Sequence, residues 1–325
     1  MMDLFLEERM WYMNYEGIKK INELGSLRTK IRDVEFKNPV LVASGTFGYG
    51  EEVSEFYDIS LLGGIITKTV TLNEREGNVP PRIWETPSGM LNSIGLANVG
   101  LERFIKEKIP FLEKIDTNII VNIAGFTIEE FKILVKELDK IEFIKGFEVN
   151  VSCPNVEKGG VHFGVDPEMV FKITGTLRDL TDKLLIIKLS PNVDVVNIIG
   201  RRAQEAGADA LTLINTVYGM AIDVYRKRPV FKNKVAGLSG PAIKPIGIYK
   251  VYQMYEYVTI PIIGVGGIYD VFSALEYFMA GAKLIQIGSA NFLDVYTPLK
   301  IIKGIDKFLK GSNETLEKIV GVAHI

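Results

Sequence analysis

The chain has 325 residues, of which 47% are hydrophobic and 24% are charged, and its formal net charge is −2. This composition is ordinary for a globular protein. The near balance of charge argues against a nucleic-acid-binding surface, and no run reaches the roughly 18 apolar residues of a membrane-spanning helix. One cysteine and two histidines are too few for a disulfide within the chain or for a metal site built from these ligands. We expect a cytoplasmic protein without nucleic-acid partners, bound metal or a membrane span.

Eight short apolar runs alternate with helical patterns along the chain. The candidate strands are residues 39–43, 64–67, 118–122, 147–151, 184–189, 210–214, 261–265 and 284–287. They are rich in Val, Ile and Leu and lack strict alternation, which is typical of parallel strands buried on both faces. The candidate helices are residues 129–140, 167–180, 193–205, 244–257 and 271–280. Strand and helix repeated in this way predict an α/β fold, a (β/α)8 TIM barrel.

Three segments do not belong to a minimal barrel. Residues 1–30 are predicted to be an N-terminal extension, and residues 31–325 a single domain. Residues 27–36 resemble a hairpin that could plug the bottom of the barrel. Residues 70–117, after the second strand, are long for one connection, and long structured insertions often carry function.

Polar residues stand at the carboxyl ends of the candidate strands. They are Ser44, Lys68, Asn122, Asn150, Lys188, Asn215 and Thr216, and the last two strands end in Gly266-Gly267 and Gly288-Ser289. All strand ends of a (β/α)8 barrel converge on one mouth, where enzymes of this fold place their chemistry. Buried Lys and Asn are costly without partners. The pattern therefore predicts a ligand site at the mouth.

The glycines indicate part of the ligand. Loops after the seventh and eighth strands are a recurrent phosphate site in barrel enzymes, because glycine lets backbone N–H groups approach an anion. Lys68 and Lys188 add positive charge, which suits either a flavin that gains negative charge on reduction or a lysine that forms a Schiff base, as in aldolases. The residues alone leave these two readings open.

Cys153 lies in N-V-S-C-P-N, just past the fourth strand. A single cysteine is usually a small buried hydrophobic residue. Here Ser152, Pro154 and Asn155 indicate a turn, and a thiol on a loop at a barrel mouth can act as a nucleophile or a base. His162 is interpreted as a loop residue and not as an activating partner.

With these motifs in place, the chain resembles class 1 dihydroorotate dehydrogenases from about residue 38 to residue 292. The resemblance rests on N-P-V-L-V-A-S-G-T-F-G-Y-G (38–50), N-V-P-P-R-I-W-E-T (78–86), G-M-L-N-S-I-G-L-A-N (89–98), N-V-S-C-P-N-V-E-K-G-G (150–160), I-K-L-S-P-N-V (187–193), I-N-T (214–216) and G-L-S-G-P-A-I-K-P (237–245).

The resemblance implies roles for individual residues. The implied catalytic residues are Cys153 and Lys68. FMN would be held by Ser44, Lys68, Thr69, Asn122, Asn150, Lys188, Ile214, Gly240, Gly266, Gly267, Gly288 and Ser289. The pyrimidine and its carboxylate would be held by Lys68, Asn92, Ser93, Ile94, Gly95, Leu96, Asn150, Asn215 and Thr216. Asparagine suits a pyrimidine ring because its side chain both donates and accepts hydrogen bonds.

The implied reaction is the oxidation of (S)-dihydroorotate to orotate in the synthesis of UMP. The Cys153 thiolate would remove the C5 proton, and a hydride would pass from C6 to N5 of FMN. The continuation K-G-G-V-H-F-G-V-D-P (158–167) is similar to the B subtype of class 1. That subtype implies a homodimeric core and a second subunit with FAD and a [2Fe–2S] cluster that passes electrons to NAD.

Alternatives remain open at this stage. A related FMN barrel, such as a dihydropyrimidine dehydrogenase-like reductase, would share Cys153 and the flavin loops but differ in the groups that bind the carboxylate. Fumarate or another acceptor could replace NAD. A lysine-dependent lyase and a non-catalytic barrel that binds a phosphorylated ligand are the remaining candidates.

Overall fold

A computed structural model describes residues 27–151 and 163–325. In chain order its strands are β1 (Thr29–Ile31), β2 (Val34–Phe36), β3 (Val40–Val42), β4 (Gly64–Ile66), β5 (Ile83–Thr86), β6 (Gly89–Asn92), β7 (Asn118–Ile123), β8 (Ile144–Asn150), β9 (Leu184–Lys188), β10 (Ala210–Leu213), β11 (Val217–Gly219), β12 (Ile222–Asp223), β13 (Arg228–Pro229), β14 (Ala236–Ser239), β15 (Ile262–Val265) and β16 (Ala282–Ile287). The strands β3, β4, β7, β8, β9, β10, β15 and β16 pair in parallel, each with the next, and close into a barrel. This confirms the predicted (β/α)8 fold.

Helices connect the barrel strands on the outside. They are α1 (Glu51–Ser54), α2 (Gly100–Arg103), α3 (Ile109–Leu112), α4 (Ile128–Asp139), α5 (Pro167–Arg178), α6 (Val196–Glu205), α7 (Lys244–Tyr255), α8 (Val271–Met279), α9 (Ala290–Leu293), α10 (Thr297–Ser312) and α11 (Leu316–Ile319). The five predicted helices correspond to α4 through α8. The long helix α10, which buries Ile301, Ile302 and Ile305, was not among them.

Side-chain caps define where several helices begin. The Asp270 carboxylate accepts the Ser273 N–H at 2.7 Å at the start of α8, and the Asp166 carboxylate accepts the Glu168 N–H at 2.9 Å at the start of α5. Each cap satisfies an N–H group that has no partner within its helix. The two capped helices begin at Pro167 and Val271, which confirms the starts of the predicted helices 167–180 and 271–280.

The boundaries of the barrel strands differ slightly from the prediction, most clearly at β8. This strand begins at Ile144 and not at residue 147. The predicted start was too late because Lys145 and Gly146 interrupt the apolar run. A Cβ at Gly146 would lie 2.6 Å from the Leu184 side chain on the neighbouring strand β9. Close packing between β8 and β9 thus explains a glycine inside a strand.

The hairpin of β1 and β2 closes the bottom of the barrel. Ile31 and Phe36 are buried in one cluster with Leu41, Ile66 and Ile120, which come from the barrel strands. The predicted plug is therefore present. The boundary predicted between residues 30 and 31 falls inside β1, so the first two residues of this strand lie before the predicted start of the domain. Residues 1–26 lie outside the described residues.

A small antiparallel sheet stands beyond the barrel, in the order β11-β14-β6-β5. The strands β5 and β6 come from the predicted insertion after the second barrel strand. The strands β11 and β14 come from a second excursion after β10, which the sequence did not predict. Asn92 of β6 pairs with Gly237 of β14, so the two insertions form one structure.

The plug provides a test of the core. Phe36→Ala should lower the free energy of unfolding by about 3–5 kcal/mol, since it removes a fully buried ring from the barrel floor. Its exposed neighbour provides the control, Glu35→Ala, which should change stability by less than about 0.5 kcal/mol. Urea unfolding measures both values. Equal effects of the two substitutions would contradict the plug.

Candidate active site

A buried polar network crosses the barrel interior just below the carboxyl ends of the strands. The Glu148 carboxylate on β8 accepts hydrogen bonds from Asn122 Nδ2 at 2.7 Å, Thr212 Oγ1 at 2.9 Å and Gln286 Nε2 at 2.6 Å. Lys188 Nζ lies 3.3 Å from Glu148 Oε1, with side-chain exposures of 7% and 0% for the lysine and the glutamate. Five strands thus contribute one side chain each to a single cluster.

Sequence reasoning found Asn122 and Lys188 but missed Glu148, Thr212 and Gln286. The three missed residues lie inside otherwise apolar strands and are fully buried. A charged residue in a strand buried on both faces is itself a signal, because burying an unpaired carboxylate is costly. The prediction considered only residues at the strand ends, and Glu148 lies two residues before the end of β8.

The network leaves two buried acceptor atoms without a partner among the described residues. They are Asn122 Oδ1 and Gln286 Oε1. Each amide turns its NH2 group to the Glu148 carboxylate, so its oxygen must face elsewhere. Buried polar atoms are rarely left unpaired in proteins. The Asn122 oxygen is therefore an acceptor suited to an N–H group of a bound molecule.

The ends of β3 and β4 carry Ser44, Lys68 and Thr69. The hydroxyls of Ser44 and Thr69 lie 3.3 Å apart, which brings these two predicted cofactor residues together. The Lys68 backbone N–H donates to the Gly48 carbonyl at 2.9 Å, and the Lys68 side chain is half-buried.

The loops after β15 and β16 have the shape that the glycines predicted. Gly266 and Gly267 adopt φ of 125° and 68°, values that favour glycine. A Cβ at Gly267 would lie 2.7 Å from the Gly240 carbonyl oxygen, whereas a Cβ at Gly288 would meet open space with Ala43 as its neighbour at 3.8 Å. A side chain at position 267 would thus collide with the backbone of Gly240, whereas Gly288 leaves room beside its own backbone.

Tyr277 on α8 supports the first of these loops. Its fully buried hydroxyl donates to the Gly266 carbonyl at 2.7 Å. A Cβ at Gly264 would overlap the Tyr277 ring, so the glycine makes space for it. Burial raises the pKa of Tyr277 above its ordinary value, and the hydroxyl therefore remains a donor. A Cβ at Gly266 would lie 3.3 Å from the Ile214 side chain, which leaves little room beside this loop.

A cavity of about 460 Å³ opens between the barrel mouth and the outer sheet. Its lining includes the predicted substrate residues Asn92, Ser93, Ile94, Gly95, Leu96, Asn150, Asn215 and Thr216. Asn78, Ser190, Asn192 and Asn233 also line it and were not predicted. Ligand pockets are commonly about 300–1,000 Å³, so this space suits a small molecule.

Asparagine side chains in the cavity are held by specific contacts. Asn92 Nδ2 donates to the Gly237 carbonyl at 3.1 Å, which ties the two insertions together across the cavity wall. Asn215 Nδ2 lies 3.4 Å from Asn150 Oδ1, and Asn215 Oδ1 accepts the Thr216 N–H at 2.8 Å. The amides are therefore oriented before any ligand arrives, which reduces the cost of ordering them on binding.

Asn98 holds the loop that carries Gly95 and Leu96. Its Nδ2 donates to the Leu96 carbonyl at 2.7 Å and to Thr71 Oγ1 at 2.8 Å. Its Oδ1 accepts the backbone N–H groups of Thr71 at 3.2 Å and Gly100 at 2.8 Å. Leu96 has a φ of 56°, which is uncommon for a residue with a side chain. One buried amide thus fixes a strained turn that lines the cavity.

Cys153 and His162 lie outside the described residues, so their positions relative to the cavity stay predictions. Asn150 precedes residue 151, the last described residue before this gap, and it lines the cavity.

Comparison with known proteins decides the family. Residues 26–309 match the family model of dihydroorotate dehydrogenase. The chain belongs to the dihydroorotate dehydrogenase family. It is accordingly an oxidoreductase that acts on a CH–CH donor, and this family is in general flavin-dependent.

Several curated relatives are similar over almost their whole length. The dihydroorotate dehydrogenase B (NAD(+)) catalytic subunit of Thermoanaerobacter pseudethanolicus is 48% identical over 297 residues, covering 91% of this chain and 98% of the relative. The subunit of the same description from Geotalea daltonii is 48% identical over 300 residues, covering 92% and 98%. A candidate dihydroorotate dehydrogenase A (fumarate) of Aquifex aeolicus is also 48% identical, over 301 residues, with 92% and 98% coverage. The resemblance to class 1 enzymes is confirmed.

No helix over residues 27–151 and 163–325 is long and apolar enough to cross a membrane. The same residues contain no group of three or more His, Cys, Asp or Glu side chains arranged to hold a metal ion.

Support of the glycine loop by Tyr277 is testable. Tyr277→Phe should lower the free energy of unfolding by about 1 kcal/mol, because it removes one buried hydrogen bond and leaves the Gly266 carbonyl without this donor. The matched control is Tyr249→Phe at an exposed position, expected to change stability by less than about 0.5 kcal/mol. Urea unfolding with an unchanged slope measures the difference. A Tyr277→Phe protein as stable as the control would contradict a supporting role for the Tyr277 hydroxyl at the Gly266 loop.

Proposed function

We propose that the chain is the FMN-containing catalytic subunit of a class 1, B-type dihydroorotate dehydrogenase, which oxidises (S)-dihydroorotate to orotate for UMP synthesis. The observation that carries the proposal is an asparagine-lined cavity at the same end of the barrel as the buried network with Lys188. Family membership supplies the reaction type, and the mouth supplies the residues for it.

The donor set fits FMN. Asn122 Oδ1 is a buried acceptor without a partner among the described residues, and the pyrimidine edge of a flavin offers an N–H donor. The turns at Gly266-Gly267 and Gly288-Ser289 suit a phosphate. Ser44, Lys68, Thr69, Asn122, Asn150, Lys188, Ile214, Gly240, Gly266, Gly267, Gly288 and Ser289 are proposed to hold the cofactor. When bound, FMN supplies the acceptor for a hydride.

The cavity fits a flat, polar, acidic ring. Asn92, Asn150, Asn215 and Thr216 offer donors and acceptors to the N–H and C=O groups of a dihydropyrimidine. The turn over residues 93–96 is proposed to contact the substrate carboxylate together with Lys68. Asn98 keeps that turn in shape without lining the cavity itself.

The proposed reaction breaks two C–H bonds and forms one C=C bond. The Cys153 thiolate is proposed to take the C5 proton, and FMN held at the mouth would supply the acceptor for the hydride that leaves C6 with its two electrons. Lys68 is proposed to lie beside the reacting ring and to balance negative charge there. A base that must remain a free thiol suits the reducing cytoplasm, where we expect this enzyme to work.

The proposed electron route follows the B subtype. Relatives named as B (NAD(+)) catalytic subunits support a separate partner subunit and NAD as the acceptor. The homodimeric core, and the FAD and iron–sulfur cluster of the partner, are proposed from the resemblance to the B subtype alone. An equally identical relative is described as using fumarate. Fumarate is therefore the alternative acceptor.

The main experiment reduces the enzyme with its substrate. The purified protein should be yellow, and dihydroorotate should bleach it without oxygen. Cys153→Ala should keep the colour and slow the bleaching by about 10²–10⁴-fold, the usual value of a general base. Stopped-flow absorbance measures the rate, and Cys153→Ser is the conservative comparison. Bleaching of Cys153→Ala at the wild-type rate would contradict the assigned base.

Dihydrouracil distinguishes the related reductase. It lacks the carboxylate that residues 93–96 and Lys68 are proposed to bind, so it should bleach the flavin much more slowly than dihydroorotate. Faster reduction by dihydrouracil would favour a dihydropyrimidine dehydrogenase-like enzyme.

The acceptor is tested by turnover. The chain purified alone should reduce NAD slowly, and adding the partner subunit should accelerate NAD reduction strongly. Rapid reduction of fumarate by the chain alone would instead support the A subtype. Substrate-driven bleaching in the absence of any acceptor is the control, since it should be the same in both cases.

A further inference from the structure

Glu148 is the charged centre of the interior network, and both oxygens of its carboxylate accept hydrogen bonds. Oε1 lies 2.7 Å from Asn122 Nδ2 and 3.3 Å from Lys188 Nζ. Oε2 lies 2.9 Å from Thr212 Oγ1 and 2.6 Å from Gln286 Nε2. Donors from four different barrel strands thus surround a carboxylate that is 0% exposed.

Three of these donors are neutral, and Lys188 contributes the positive charge. Its side chain is only 7% exposed, so water screens the pair weakly and the attraction between the two charges is strong. Removing one partner from such a pair leaves a buried charge without compensation. The Glu148 and Lys188 charges therefore compensate each other, and removing either one changes the charge of the whole network.

Glu148 also determines how the Asn122 amide is oriented. A carboxylate accepts hydrogen bonds and does not donate them, so the Asn122 NH2 group must face it. The Asn122 oxygen is then directed away as a buried acceptor without a partner among the described residues. A neutral amide in place of Glu148 could donate as well as accept, and it would no longer impose this orientation.

We propose that Glu148 is a positioning residue of the flavin site, which acts through Lys188 and Asn122. Its carboxylate compensates the Lys188 charge and presents the Asn122 oxygen to the cofactor. The bound flavin thus meets a neutral ion pair in place of an isolated cation, and its midpoint potential is lower than Lys188 alone would give. This inference rests on the proposed binding of FMN.

The experiment is a charge cycle read by redox titration of the bound FMN at fixed pH. Glu148→Gln removes the carboxylate that faces Lys188 and should raise the midpoint potential, because a cation favours the negative charge that a flavin gains on reduction. Lys188→Met leaves the carboxylate uncompensated and should lower it. Each shift should reach at least about 30 mV, a tenfold change for a two-electron couple. The double variant should return towards the wild-type potential.

Thr212→Val is the matched control. It removes a hydrogen bond to the same carboxylate at nearly constant volume and changes no charge, so it should leave the potential within about 10 mV of wild type on the scale of 30 mV per tenfold. A Thr212→Val shift as large as that of Glu148→Gln would mean that packing, and not charge, is measured. Shifts of the same sign in Glu148→Gln and Lys188→Met would equally overturn the proposal.

Loss of folding or of FMN in a single variant is also informative. The double variant contains neither charge of the pair, and it should therefore fold where Glu148→Gln alone does not. A double variant that is no better than the single one contradicts the proposal. A wild-type protein that binds no FMN would refute the proposed function itself, whereas a yellow, substrate-reducible wild type with unshifted variants refutes only the role of Glu148.

Discussion

Closure of the parallel barrel is the constraint on which the site depends. Because each barrel strand pairs with the next and the last pairs with the first, all carboxyl ends meet in one ring. Alternating side chains then point to a shared interior. Asn122, Glu148 and Lys188 are separated by 26 and 40 residues along the chain and still lie within hydrogen-bonding distance. Gln286 on β16 donates to Glu148 on β8 at 2.6 Å although these strands lie on opposite sides of the ring, and this contact requires the closed barrel.

The site has two halves that different parts of the chain provide. The barrel interior and the loops at Gly266 and Gly288 make a rigid floor, supported by buried groups such as Tyr277. The outer sheet, formed by insertions after β4 and β10, makes the wall of the cavity and brings Asn92 over the mouth. In the proposed function the floor holds the flavin and the wall contacts the substrate.

Much of this arrangement could be predicted from the sequence. Short apolar runs rich in Val and Ile between helical patterns predicted the buried parallel strands, and polar residues at the strand ends predicted the mouth. The second insertion was missed because its strands are two to four residues long and are stabilised by pairing with β6, which no local pattern records. Glu148 was missed because it precedes the strand end. The individual roles came from family resemblance, since spacing alone does not distinguish a flavin from a Schiff base.

A crystal structure of the protein grown with orotate tests the central claim most directly. The account predicts FMN with its phosphate at the Gly266-Gly267 and Gly288-Ser289 turns and its ring above the Glu148 network. It predicts orotate between that ring and Asn92, with Asn215 in hydrogen-bonding distance. Orotate bound away from the asparagine-lined cavity, or a flavin whose phosphate lies at another edge of the barrel, would contradict it.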